Sequence, residues 1–150
     1  MGRMYVLSNT LTSVTAAETL FEIGAATNTV VLIHRISLTN STSETDDSAL
    51  ISYGRYTASG TGTDVSANVE VLDSGDAAFS GTAEDNHSAD IATGEVVLGR
   101  EGISLLAGYQ KIFTPEERPV IPGAGFFGFN LDSAITSVTL AYEIVFEEIG

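Results

Sequence analysis

The sequence predicts an all-β protein: an antiparallel β-sandwich, or a jelly roll or barrel, with long polar loops in one domain covering residues 1–150. Three observations carry this. Apolar residues recur with a period of two, most plainly near the C-terminus, which is the spacing of a strand with one buried face. No window of eleven or more residues holds an i, i+3, i+4 apolar pattern built from good helix formers. Connections rich in Gly, Ser, Thr, Asn and Asp separate roughly seven to nine short apolar segments, the rhythm of two packed sheets.

Taken in order, MYVLS at residues 4–8 and ETLFEI at 18–23 open the series. The segment 29–39, TVVLIHRISLT, is apolar on both sides at its start, as a central strand would be. Strict alternation there would place Val30, Leu32, Ile36 and Leu38 on one face with His34, and Val31, Ile33, Arg35 and Ser37 on the other. Residues 49–57, 95–100 and 106–113 follow, rich in Tyr, Ile, Val and Phe. In 125–131 Phe127, Phe129 and Leu131 alternate with Phe126, Gly128 and Asn130. The closing segment 135–149 sets Val138, Leu140, Tyr142, Ile144 and Phe146 on one face, against Thr139, Ala141, Glu143, Val145 and Glu147.

All three prolines, Pro115, Pro119 and Pro122, sit just ahead of the phenylalanine run. Proline cannot donate to a central ladder and disfavours helix at the residue before it. Residues 115–122 are therefore an edge segment or connection, and Ile-Pro-Gly is a turn with Gly123 or Gly125 at positive φ. Polar connections are expected at 39–48, 58–68 and 73–94. The last exceeds ordinary loop length. It is expected to be a surface excursion ordered against a neighbouring subunit, or to hold a short irregular strand around 77–79.

Composition narrows function. Six Lys and Arg stand against twenty Asp and Glu, a net charge of -14. Such a chain repels phosphate backbones and anionic headgroups, so neither nucleic acid nor membrane is an expected partner. Absence of cysteine excludes disulfides and thiolate chemistry. No segment has signal-peptide or membrane-spanning character, which implies synthesis in the cytoplasm.

Catalytic signatures are missing. His34 and His87 have no histidine partner at metal-ligand spacing; a structural or solvated role is expected for both, with His87 the more open because Glu84, Asp85 and Asp90 surround it. No serine lies in a nucleophile elbow. GTGTD at 60–64 lacks the lysine of a phosphate loop and reads as a plain loop. Three acidic clusters (Glu44, Asp46 and Asp47; Asp73 and Asp76; Glu84, Asp85 and Asp90) lack EF-hand spacing and read as solvated loops, not calcium sites. The phenylalanine run alternates as a core strand does, not as a sugar platform. No catalytic residue, metal or cofactor is expected, and the chain does not read as an enzyme.

Four segments in order resemble one family: VTAAETLFEIGA at 14–25, LDSGDAA at 72–78, GYQKIFTPEERPVIPGAG at 108–125 and FEEIG at 146–150. Together they are similar to tailed-bacteriophage head decoration, or cement, proteins. That resemblance implies a small β-rich module that binds the outer surface of the capsid and stabilises it. It implies the major capsid protein as partner, a homo-oligomer with a trimer favoured, and a location on the capsid exterior. The contacts expected from it lie in the N-terminal segment and the two acidic loops: Met4, Tyr5, Asp46, Asp47, Phe79, Asp85, His87 and Asp90. The alternative is a phage tail- or fibre-associated β-sandwich that binds glycans.

Overall fold

The computed structural model of the chain describes residues 2–42, 47–91 and 93–150. Among them, in chain order, run β1 (Arg3–Val14), β2 (Glu18–Gly24), β3 (Val30–Asn40), β4 (Ser48–Tyr56), β5 (Thr63–Asp64) and β6 (Val69–Val71). Then follow β7 (Thr82–Asp85), β8 (Val96–Ser104), β9 (Tyr109–Ile112), β10 (Val120–Ile121), β11 (Phe126–Leu131) and β12 (Val138–Ile149). A single 3-10 turn spans Ser66–Asn68, and no α-helix occurs among the described residues. All pairings are antiparallel. The first sheet has the order β10-β3-β12-β1-β6, with β9 also on β3; the second has the order β5-β7-β2-β11-β4-β8. The two sheets pack face to face as a β-sandwich and do not close into a barrel.

β12 lies between β1 and β3 at the centre of the first sheet. Val138, Leu140, Tyr142, Ile144 and Phe146 are all buried, and their neighbours are half-buried, as the alternation requires. Each such side chain contributes about 1.5–3 kcal/mol of transfer free energy when fully buried. Facing it, Phe21 stacks on Tyr142 at 4.5 Å and on Phe129 at 5.2 Å, so aromatic rings from both sheets meet mid-sandwich.

Strict alternation fails in β3. Arg35 pairs with Val145 but Ile33 pairs with Phe146, so His34 is an extra residue on the β3 side. This bulge switches the phase: Val31 and Ile33 are buried before it, Ile36 and Leu38 after it. The face expected to unite Val30, Leu32, Ile36 and Leu38 is therefore split. His34 points outward instead, its Nε2 3.2 Å from Glu147.

The proline corner runs along an edge, as expected: β10 pairs only with β3, and Ile33 N–H donates to the Pro119 carbonyl at 3.0 Å. Gly125 N–H closes the turn onto the Pro122 carbonyl at 2.9 Å. The positive φ falls on Ala124, at 61°, not on either glycine. Close approach explains the glycines: a Cβ on Gly123 would lie 2.2 Å from the Thr27 carbonyl oxygen, and one on Gly125 2.9 Å from that of Pro122.

The described residues of 73–91 pack against their own chain. Phe79 plugs one end of the sandwich, with ring centroids 5.4 Å from Tyr5 and 5.0 Å from Phe146. β7 joins the second sheet through β2 and β5, and His87 and Ile91 are buried. The strand within this segment is 82–85, not 77–79, because Ala83 and Asp85 supply inward-facing side chains in register with Ile23 and Phe21.

Candidate functional site

The outer face of the second sheet carries polar chemistry. Directly paired residues share a face, so Glu22 on β2 lies beside Glu84 on β7 and Gly128 on β11. Thr19, Asn130 and Ser52 form the next row of that face. Segments 57–62 and 86–91 fold over these rows, and Glu22, Thr19, Ser52 and Asn130 are all buried although they face away from the sandwich interior. Thr19 donates to Asn130 at 2.8 Å and accepts from Ile91 N–H at 3.1 Å, while Asn130 also donates to Ser52 at 3.4 Å and to the Tyr56 hydroxyl.

At one end of this face stand Glu22, Glu84 and His87. Two carboxylates directly opposite across a strand pair repel, by about 0.2–1 kcal/mol in exposed sheets and more under cover. Both are held in place by hydrogen bonds from the same short loop. Ser59 Oγ donates to Glu22 Oε1 at 2.8 Å, Gly60 N–H to Glu22 Oε2 at 2.9 Å, and Gly62 N–H to Glu84 Oε2 at 3.1 Å. Between them projects the fully buried imidazole of His87, its Nε2 3.6 Å from Glu22 Oε2 and 3.6 Å from Glu84 Oε2. Neither ring nitrogen makes a hydrogen bond. The two glycines admit the ring: a Cβ on Gly60 would lie 2.5 Å from its Cδ2, and one on Gly62 2.7 Å from its Cε1. Nearby, burial pushes the Glu18 carboxyl up, with His87 pulling it down and Asp90 adding to the rise.

Two further buried carboxylates face inward and are satisfied. Asp85 accepts from the Tyr142 hydroxyl and from Asn9 Nδ2, both at 2.7 Å. Glu148 accepts from Ser80 Oγ and from the Tyr5 hydroxyl at 3.3 Å, with Arg3 3.9 Å away. These clusters tie strands together.

The residues expected to make external contacts are scattered. Tyr5, Asp85 and His87 are buried, so their side chains face the protein's own interior and cover, not its surface. Their small exposure follows from the packing of Phe79 on Tyr5 and from the pairing of β7 with β2. Phe79 is half-buried in the end plug. Met4 is half-buried in an apolar groove on the outer face of the first sheet, with Val6, Leu72, Ile112 and Val145. Asp47 accepts from Thr136 N–H at 2.8 Å, which holds its carboxyl below the usual range. Asp90 is exposed, its carboxyl raised by desolvation first and by the charges of Asp132 and Glu95 second. Asp46 lies outside the described residues.

One apolar surface was not foreseen. β8 is the edge strand of the second sheet, paired on one side with β4. Its first three residues, Val96, Val97 and Leu98, are 49%, 42% and 39% exposed, and consecutive exposure of three such residues departs from alternation. The cause is a bulge: Tyr53 pairs with Gly99 and Gly54 with Val97, leaving Leu98 extra. The run VVL was visible in the sequence, but only the strand order shows that it is an edge.

No family model matches the chain, no curated protein matches it, and no solved structure matches it.

Proposed function

We propose that this chain is a structural protein of a phage virion, a decoration module that binds the outside of the capsid and reinforces it. Support comes from the four segments that resemble cement proteins and from a fold whose inward polar groups bind one another. The observation that carries the reading is the β8 edge. A strand edge leaves a row of backbone N–H and C=O groups open to pairing, and apolar side chains along it add contact area. Natural edges are usually blunted by charge, proline, a bulge or burial; Val96–Leu98 carries the bulge at Leu98 but no charged residue, proline or cover. The partner is the major capsid protein, with copies of the chain assembling as a homotrimer over the lattice, where many weak contacts add by multivalency. The net charge of -14 keeps the free protein dispersed and favours a basic patch on the shell.

The test is co-sedimentation with heads of the encoding phage stripped of this protein, together with light scattering for the oligomer. Wild type should saturate the heads, and Val97→Lys should bind at least tenfold more weakly at unchanged melting temperature. Heads that fail to bind the wild type would end the decoration reading. Equal binding by the variant would move the contact off β8.

A further inference from the structure

We infer that Glu22, Glu84 and His87 form a binding site for one divalent first-row transition ion, zinc being the ion whose geometry they match. The carboxylates come from neighbouring strands and the imidazole from the segment folded over them, and the three ligand atoms lie within 4.8 Å of one another. The spacing is informative. At 3.6 Å, His87 Nε2 is too far from either carboxylate oxygen for a hydrogen bond. Zinc bonds of about 2.0–2.2 Å in a tetrahedron place ligand atoms about 3.4 Å apart. Both nitrogen–oxygen separations, at 3.6 Å, lie close to that spacing, and an ion would draw the two carboxylate oxygens to it.

Charge and hydrogen bonding point the same way. Glu22 is fully buried and cross-strand from Glu84, so two negative charges share a site closed to water on one side. A buried charge is costly unless paired or coordinated. A divalent cation neutralises both, and it gives the orphaned Nε2 of a side chain that is 2% exposed a partner. The N–H groups of Gly60 and Gly62 and the Ser59 hydroxyl then act as the outer ring of donors that orients metal-bound carboxylates. One nitrogen and two carboxylate donors suit zinc and its neighbours in the first transition row. Calcium, which takes six to eight oxygens, is poorly served. The sequence expectation of no metal rested on ligand spacing along the chain; here the ligands meet across strands. The consequence is structural: the ion pins the loop 58–62 and the segment 82–91 onto β2.

The experiment uses the full chain freed of metal by chelator and dialysed. Zinc chloride should bind with one tight equivalent per chain by elemental analysis. Melting temperature should rise by about 5 °C or more at a hundredfold excess over Kd, while calcium and magnesium leave it unchanged. Cobalt chloride should develop visible d–d absorption in wild type. Glu84→Gln keeps an acceptor for Gly62 and removes the repulsion, so its metal-free form should melt no lower than wild type yet lose the zinc shift and the cobalt absorption. His87→Ala should lose both as well. A wild type with no tight equivalent and no shift overturns the site. So does a Glu84→Gln protein that responds like wild type, or one whose metal-free form is markedly less stable, since that marks a plain ion pair to protonated His87.

Discussion

The two sheets of the sandwich are built to different rules. The first sheet has one dry face and one face toward solvent: β12 alternates buried and half-buried residues from Val138 to Phe146. The second sheet is covered on both faces at its centre: Phe127 through Leu131 are all buried, as are Thr19 through Gly24. Its outer cover is polar and comes from loops, so Glu22, Asn130, Ser52 and Thr19 are buried without being part of the apolar core. The lesson is that loops here act as a third layer. That layer, not the sandwich interior, is where a charged cluster can persist.

Removing the cover is the most severe way to test this contrast. Deleting residues 78–90 takes out Phe79, β7, Asp85 and His87. The variant should show no cooperative thermal transition by circular dichroism. A sharp melt near that of wild type would mean that the cover is dispensable.

Alkali should reach nearly the same end. Burial pushes all five phenols up, those of Tyr5, Tyr53, Tyr56, Tyr109 and Tyr142. The folded chain then keeps protons that the unfolded chain gives up above an ordinary value of 10.0. Above that pH the unfolded state binds fewer protons, so stability falls as pH rises; below it the contribution is fully present. Absorbance at 295 nm should rise in one step together with loss of near-ultraviolet dichroism. Gradual ionisation near pH 10 in a folded chain, with Tyr56 among the early titrators, would show that the outer cover admits water.

Single substitutions then grade the layers. Phe129→Ala opens a cavity between the sheets and should cost about 3–5 kcal/mol in urea unfolding. Val145→Ala, on the solvent side of the first sheet, should cost under about 1 kcal/mol. Similar values for the two would erase the distinction between faces. Gly60→Ala drives a methyl into the His87 ring and should cost about 1–3 kcal/mol, all of it from the cover. Gly102→Ala in β8 meets nothing within 4 Å and should be neutral or stabilising by about 0.5 kcal/mol. Equal effects at both glycines would remove the case for an imidazole cradle.

How much was legible follows the same division. β12, β2, β3, β4 and β11 were readable because hydrophobic alternation or an apolar run marks them over several residues. The short strands β5, β6 and β10 carry too few residues to show any period. The phase of β3 was misread because His34 is one extra residue, and a period-two argument inverts after every bulge. The glycines of GTGTD were visible but read as a loop, because spacing alone does not show that a ring must pass between them.

By itself the sequence determined an all-β chain, the core face of residues 138–146, the edge position of the proline corner and a strongly negative surface. Those are properties of a residue and its near neighbours. Tertiary structure decided that Glu22, Glu84 and His87 meet, that Tyr5 and Asp85 turn inward, and that β8 is an edge. Strand partnership and register are set by the packing of the whole core. Side chains some sixty positions apart can therefore share one site without leaving any local trace in the chain.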